Sequence, residues 1–183
     1  MLTAKIYTKE LLFIMLWKHM ETLKVLINKS TDVNTRNIDN EVPLYKAMNI
    51  TDNKIHNEIV DILLINGADV NITNNNGYTP SHKAVFTSNW LTVKKLIYHG
   101  ANINAKDETD KITLHYSRNQ QITKLLIQHG ADINLQDVYG YSPIFMFDNP
   151  ESINALLDNG ANANILNDMY YSFGTSNKTT TYF

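Results

Sequence analysis

The sequence feature that most restricts the fold is a short segment that returns several times in nearly the same form. Each full copy runs through Gly-Ala, then Asp or Asn, an aliphatic residue and Asn, and the copies begin at positions 64, 97, 127 and 157. With a degraded earlier copy, the closing asparagines lie at 34, 71, 104, 134 and 164, at intervals of 37, 33, 30 and 30. Self-similarity with a period of this size predicts stacked repeats, each of them one small supersecondary unit.

A second motif recurs in register with the first and lies near the start of each period. Its fullest copy is Thr79-Pro80-Ser81-His82-Lys83-Ala84, and the others are Val42-Pro43-Leu44-Tyr45-Lys46-Ala47, Ile112-Thr113-Leu114-His115 and Ser142-Pro143-Ile144. Together the two motifs resemble the ankyrin repeat, whose first helix opens with Thr-Pro-Leu-His-x-Ala. The resemblance implies an all-α fold, an ankyrin-repeat solenoid of about five helix–turn–helix units with β-hairpin-like loops.

The two motifs also predict where each repeat begins and ends. We expect an ankyrin-repeat domain over residues 1–173 and a disordered tail over 174–183. Compared with the third repeat, the fourth and fifth lose three residues near the junction of their paired helices, whereas the second has a longer stretch there, predicted as a connection over residues 49–57. The predicted repeats are 8–34, 35–71, 72–104, 105–134 and 135–164, with a partial sixth over 165–173.

Residues at the ends of the predicted helices have the chemistry that helix ends require. Thr79 and Ser142 suit N-caps, with Pro80 and Pro143 at the first helical position, where no N–H is needed. Asn149, Pro150 and Glu151 have the same arrangement before a second helix, and His82 and His115 are expected to help hold a helix start. Four glycines suit the left-handed residue after a second helix, and the Val or Ile before each closing Asn is expected to point into the stack. These glycines are Gly67, Gly100, Gly130 and Gly160.

Composition and motifs exclude several classes of function. The net charge is −2 and the lysines are dispersed, which disfavours nucleic-acid binding. The longest apolar run, residues 11–17, is far too short to cross a membrane. No catalytic or cofactor-binding constellation is present, so we predict that the chain is not an enzyme. His99 and His129 occupy equivalent repeat positions, but no cysteine or carboxylate completes a metal site.

A partner is expected on the loop tips and first helices, the surface that ankyrin stacks usually present. Val138, Tyr139 and Tyr141 are apolar or aromatic at a tip, where they either anchor a partner or cover the partial sixth repeat. Trp90 aligns with an apolar motif position and is predicted to lie in the core. The candidate partner-binding residues are Tyr78, Phe86, Lys106, Glu108, Lys111, Gln136, Val138, Tyr139 and Tyr141.

The irregular repeat lengths and the abundance of Asn and Ile are similar to those of poxvirus and other large DNA virus ankyrin proteins. That resemblance implies a viral protein-interaction module that binds a host protein in the host cytoplasm and modulates host defence or host range. A second hypothesis is a substrate-binding subunit of a cullin-type ubiquitin ligase, which would bring ubiquitin-ligase components as partners. Many poxvirus members carry a C-terminal F-box-like segment, and nothing after Asn164 resembles it. A third hypothesis is a truncated, non-functional remnant of a longer ankyrin protein.

Overall fold

A computed structural model describes residues 32–167 of the chain. Most of the predicted first repeat, most of the partial sixth repeat and the predicted tail lie outside this range. None of the helices within it is long and apolar enough to cross a membrane, and no residue in it belongs to a β-strand. The described α-helices are α1 (Pro43–Ala47), α2 (Asn53–Ile65), α3 (Pro80–Phe86), α4 (Trp90–Tyr98), α5 (Gln120–Gln128) and α6 (Pro150–Asp158), and two 3₁₀ helices span Thr113–Tyr116 and Pro143–Met146.

The described helices lie in two compact units, an N-terminal one that includes residues 32–102 and a C-terminal one that includes residues 103–167. In the described part of the N-terminal unit, α1 packs against α2 and α3 against α4, and α1 also contacts α3. In the C-terminal unit, the two 3₁₀ helices contact each other and α5 packs against α6. Short helices thus recur through both units, with no strand in the described part of the chain, which confirms the predicted all-α repeat fold.

The starts of the helices follow the predicted capping chemistry, with one exception. Thr79 accepts a hydrogen bond from the N–H of His82, and the His82 ring accepts one from the N–H of Thr79 at 3.2 Å, which makes a reciprocal cap. Asn149 caps α6, with Pro150 at the first helical position. Ser142 also lies at an N-cap position, but its side chain accepts no hydrogen bond there, so its predicted capping role is wrong. The 3₁₀ helix that follows has only four residues and starts at a proline.

The irregular repeat lengths are reflected in the lengths of the helices. The first helix of the third repeat is α3, with seven residues, whereas its counterparts in the fourth and fifth repeats are single 3₁₀ turns of four residues. The predicted loss of three residues therefore removes the last turn of those helices. In the second repeat, the extra residues lengthen α2 to 13 residues, because Asp52 caps a helix that starts at Asn53. The predicted long connection over residues 49–57 is therefore wrong.

The Gly-Ala pair ends each second helix by the same hydrogen bond. Gly130 has a φ of 86°, a left-handed conformation that costs glycine little. This turn lets the N–H of Ala131 donate to the carbonyl of Leu126 at 3.0 Å, which satisfies one of the last helical carbonyls. The glycines at 67, 100 and 160 also have positive φ, so the predicted helix ends are confirmed.

The closing asparagine of each of the first four repeats bonds the main chain of the next repeat within the same compact unit. The Asn104 amide donates to the carbonyl of Gly130 at 2.9 Å, and its oxygen accepts the N–H of Asp132 at 2.8 Å. Asn34, Asn71 and Asn134 each form the equivalent pair of bonds. One side chain thus satisfies a carbonyl just past a helix end and the following turn, which explains why the repeat closes on Asn.

Replacing Asn104 by alanine is expected to lower the free energy of unfolding by about 1.5 kcal/mol, since two hydrogen bonds to main-chain groups are lost. Urea unfolding followed by circular dichroism measures the change. Asn154→Ala is the matched control, because Asn154 is exposed on α6 and should change stability by less than about 0.5 kcal/mol. Equal effects of the two substitutions would contradict a special role for the closing asparagine.

Each unit has its own apolar core, to which leucines of its described helices contribute. Leu44, Leu63 and Leu96 are fully buried in the N-terminal unit, and Leu114, Leu126 and Leu156 in the C-terminal unit. Val33, Val70 and Ile103, which precede closing asparagines, are buried as predicted, whereas Ile133 at the equivalent position is only partly buried.

A buried histidine connects the second and third repeats. The Nδ1 of His56 lies 3.0 Å from the carbonyl of Ala47 and must donate to it, so Nε2 accepts from the hydroxyl of Thr92 at 2.6 Å. Burial lowers the pKa of His56 below its ordinary value of 6.5, because the charged ring would lose its hydration, and the nearby Lys95 acts in the same direction.

We expect the free energy of unfolding to decrease as the pH falls below about 6.5, the ordinary pKa of histidine. The unfolded chain then takes up a proton that the folded chain binds more weakly, so the neutral ring stabilises the fold only above that range. Urea unfolding at neutral and mildly acidic pH measures this loss. His56→Gln should lose less stability between the two pH values than the wild type, and an unchanged loss would show that His56 does not contribute.

Candidate protein-binding surface

Each loop between repeats is closed by an Asn or Asp at the same repeat position. In residues 137–141, which we call tip 5, Asp137 Oδ1 accepts the N–H groups of Tyr139 and Tyr141, both at 2.9 Å. Asp107 plays the same part in residues 107–111, which we call tip 4. Asn37 and Asn74 do so in the second and third repeats. Side-chain bonds of this kind fix a turn locally, so each tip is shaped by its own sequence.

The left-handed residue of each tip also lies at a fixed repeat position. It is glycine in the third and fifth repeats, at Gly77 and Gly140, but Asn40 and Asp110 adopt φ values of 63° and 61° in the second and fourth. Asn and Asp tolerate this conformation better than other side chains do, which explains why the turn persists where glycine is missing.

Neighbouring tips within one compact unit are bonded side by side. The N–H of Val138 donates to the carbonyl of Thr109 at 3.0 Å, which joins tip 5 to tip 4. In the N-terminal unit, the N–H of Asn75 donates to the carbonyl of Asp39 at 3.4 Å. The hairpin-like loops predicted from the resemblance are therefore present, and tips 4 and 5 present one continuous edge.

The predicted apolar residues of tip 5 have different roles in the structure. Val138 is 49% exposed and Tyr139 is 57% exposed, large fractions for such side chains. Tyr141 is half-buried, and its ring packs edge to face on Phe145 with 5.4 Å between the ring centres. Val138 and Tyr139 are thus available to a partner, whereas Tyr141 stabilises the repeat.

Three of the predicted polar residues are engaged in contacts within the two tips or at their base. Gln136 donates from its amide to the carbonyls of Gly140 and Leu166, at 2.6 and 3.0 Å, so it fixes the base of tip 5. Lys111 Nζ lies 3.5 Å from Asp137 Oδ2, and Lys106 Nζ lies 3.1 Å from Asp110 Oδ2.

Glu108 differs from these residues, because it is exposed and forms no ion pair within the described part of the chain. It lies in tip 4 next to Thr109, whose carbonyl accepts the N–H of Val138. The edge of tips 4 and 5 thus combines an exposed carboxylate with two exposed apolar side chains.

Asp107 is the most heavily hydrogen-bonded carboxylate of the two tips. Its Oδ1 accepts the N–H and hydroxyl of Thr109 and the N–H of Lys111, and its Oδ2 accepts the hydroxyl of Tyr116. Burial alone would raise the pKa of Asp107, but these hydrogen bonds outweigh it and hold the pKa below the ordinary value of 3.8. Asp107 is therefore a structural carboxylate that sets the shape of tip 4.

Two predicted partner-binding residues, Tyr78 and Phe86, belong to the N-terminal unit. Their rings pack edge to face with 5.9 Å between centres, and Phe86 is exposed at the end of α3. Trp90 was predicted to lie in the core, but it is 37% exposed as the first residue of α4, with Lys94 Nζ 5.2 Å from its ring centre. That prediction is wrong because Asn89 caps α4 one residue earlier and places Trp90 at the surface end of the helix.

An exposed apolar position near the end of the second helices was not predicted from the sequence. Ile65 and Tyr98 occupy it in the second and third repeats, and both are strongly exposed, Tyr98 at 88%. They follow Leu64 and Ile97 directly in the chain, so they read as part of the apolar run. The polar residues at the equivalent positions, Gln128 and Asp158, are the only signal that could have marked the position as exposed.

The two motif histidines hold helix starts, as predicted. His115 Nδ1 accepts the N–H of Ile112 at 3.2 Å, as His82 does for Thr79, and its Nε2 donates to the carbonyl of Tyr141 at 3.1 Å. Burial lowers the pKa of His115. Residues 32–167 contain no group of three or more His, Asp or Glu that could hold a metal ion.

Comparison with known proteins agrees with this geometry. A family model described as ankyrin repeats (3 copies) matches residues 11–107 and 47–137. An ankyrin repeat protein of Fowlpox virus (strain NVSL) is 37% identical over 95 residues, which are 51% of this chain and 27% of that protein. The match thus spans well under two thirds of the relative's own length.

Proposed function

We propose that this chain, which belongs to the ankyrin-repeat family, is a viral protein-binding module that engages a host protein through the edge of tips 4 and 5. The observation that carries the proposal is the exposure of Val138 and Tyr139 on two hydrogen-bonded tips. Tyrosine offers a large contact area with few rotatable bonds, and aromatic residues dominate the binding energy of many protein interfaces. The similarity to a fowlpox virus protein supports the viral origin.

A rigid tip makes this surface suited to recognition. Asp137 fixes the main chain on both sides of Tyr139, and the bond from Val138 to Thr109 fixes the tip against its neighbour. A partner therefore does not have to order the loop when it binds, which reduces the entropic cost of association. We place the interaction in the host cytoplasm, with modulation of host defence or host range as its consequence.

Affinity capture from avian cell lysate tests the proposal, because the viral relative is a fowlpox virus protein. Tyr139→Ala should lose a protein that the wild-type chain recovers. Tyr98→Ala should retain it, because Tyr98 is an exposed tyrosine of the N-terminal unit outside these tips. Both substitutions are at exposed sites and should change stability by less than about 0.5 kcal/mol.

The outcomes separate the proposal from the alternatives. Retention of the same protein by Tyr139→Ala would contradict the role of tip 5. Recovery of cullin-complex components with the wild type would favour a substrate-binding subunit of a ubiquitin ligase. Non-cooperative unfolding of the wild-type chain, with no protein recovered, would favour the truncated remnant.

A further inference from the structure

We propose that the edge of tips 4 and 5 binds a partner segment that carries a Lys or Arg side chain next to an apolar one. This inference rests on the proposed function of that edge and adds the chemistry of the partner. It follows from the balance of charge around the exposed apolar pair formed by Val138 and Tyr139.

Apart from Asp107, whose buried carboxylate is held by hydrogen bonds within tip 4, the charges at the edge cancel in pairs, with one exception. Lys106 is paired with Asp110 at 3.1 Å, and Lys111 is paired with the buried Asp137 at 3.5 Å. These contacts leave no unpaired basic group at the edge to attract an acidic partner.

Glu108 is the exception among these charges. It is exposed, and no described residue forms an ion pair with it. The carbonyl of its neighbour Thr109 accepts the N–H of Val138 at 3.0 Å, so the carboxylate belongs to the same edge as the apolar pair. A cationic side chain is the group that this carboxylate would pair with, and an apolar neighbour of that cation would contact Val138 or Tyr139.

The charge of the surrounding unit favours the same partner. Residues 103–167 contain four Lys or Arg and eight Asp or Glu, whereas residues 32–102 contain six and seven. The excess negative charge therefore lies in the unit that carries tips 4 and 5. A field of this sign attracts basic segments before contact and repels acidic ones.

Selection of short random peptides displayed on phage against the full chain tests the inference without knowledge of the natural partner. Selected peptides should be enriched in Lys or Arg adjacent to an aromatic or aliphatic residue. Tyr139→Ala should weaken binding of a synthetic copy about thirtyfold, the effect expected for an interface hot spot. Fluorescence polarisation measures these affinities.

Charge variants then test the role of Glu108. Glu108→Gln should weaken binding about fivefold at low salt, and Glu108→Lys more strongly because it places like charges together. The wild type and Glu108→Gln should bind equally at about 1 M salt, where the Debye length is about 3 Å. Asp158→Asn is the matched control, because it removes an exposed carboxylate of the same unit at the end of α6 and should leave binding unchanged.

The two proposals fail in different ways. Peptides that need Tyr139 but are acidic or neutral, or that bind Glu108→Gln as well as the wild type, would overturn the basic partner and leave the binding edge intact. Peptides that bind Tyr139→Ala normally, or the absence of any selected peptide, would overturn the binding edge itself. Self-association of the wild type that is lost in Tyr139→Ala would identify a second copy of the chain as the occupant and overturn the basic segment.

Discussion

Replacing Leu126 by alanine is expected to lower the free energy of unfolding by about 3 kcal/mol. Leu126 lies fully buried on α5, which packs against α6 and against the 3₁₀ helix Thr113–Tyr116. Truncation removes apolar contacts and leaves a cavity that the short helices around it can fill only in part. Because each repeat is stabilised mainly by its neighbours, the loss should affect the adjoining repeats as well.

Lys124→Ala provides the control for this prediction, because Lys124 is an exposed residue of the same helix. Alanine has a high helix propensity, so the control should change stability by less than about 0.5 kcal/mol. Equilibrium urea unfolding followed by circular dichroism gives both values. A loss below about 1 kcal/mol for Leu126→Ala would mean that the core of this unit is poorly packed, contrary to the structure.

Replacing Asp107 by alanine is expected to cost about 3 kcal/mol of stability, because four hydrogen-bond donors lose their acceptor and two of them are main-chain groups. These donors belong to Thr109, Lys111 and Tyr116. The left-handed Asp110 that follows in tip 4 then lacks the interactions that compensate for its backbone conformation. We therefore expect tip 4 to lose its shape along with part of the stability.

Asp107→Asn is the matched variant, because Asn74 occupies the same position in the third repeat and its Oδ1 accepts the two equivalent N–H groups, those of Asn76 and Tyr78. It should cost about 1 kcal/mol, since one neutral acceptor is retained. The difference in free energy of unfolding between Asp107→Asn and the wild type should become smaller in acid. Because the folded pKa is lowered, the ionised carboxylate stabilises the fold above its ordinary pKa of 3.8, and this contribution is lost as the pH falls through the folded value. Equal losses for the two variants at neutral pH would contradict this role of Asp107.

Much of the fold could be predicted because the same sequence signals for helix starts and ends recur in several repeats. A single Gly-Ala pair or Thr-Pro pair is weak, but in-register copies identify the helix ends at Gly67, Gly100, Gly130 and Gly160, and all four have the expected left-handed backbone. The role of the closing asparagine was not foreseen, because its hydrogen bonds reach the next repeat about 30 residues away.

Two of the errors occurred where a local capping residue competes with the repeat pattern. In the second repeat, Asp52 accepts the N–H groups of Lys54 and Ile55 and begins α2 earlier than the motif spacing suggested. Asn89 likewise begins α4 just before Trp90 and leaves that ring half-exposed. In both places a capping side chain, which an alignment of repeats does not weigh, decides the helix start.

The candidate surface was less predictable than the fold. Tyr139 and Tyr141 have the same residue type, two positions apart, and no periodicity separates them. The structure does so because Tyr141 packs on Phe145 while Tyr139 extends from the tip. The pairing of Lys111 with Asp137 depends on the position of one tip beside the next, which a sequence does not give.

Site-specific photo-crosslinking from position 139 tests the binding edge most directly. A photoreactive phenylalanine analogue replaces Tyr139 in one chain and Tyr98 in another, and both are expressed in avian cells and irradiated. Position 139 is expected to yield one specific host-protein adduct, which untagged wild-type chain competes away, whereas position 98 is not expected to yield it. Adducts of the same proteins from both positions, or no adduct from position 139, would contradict the assignment of the binding surface to tips 4 and 5.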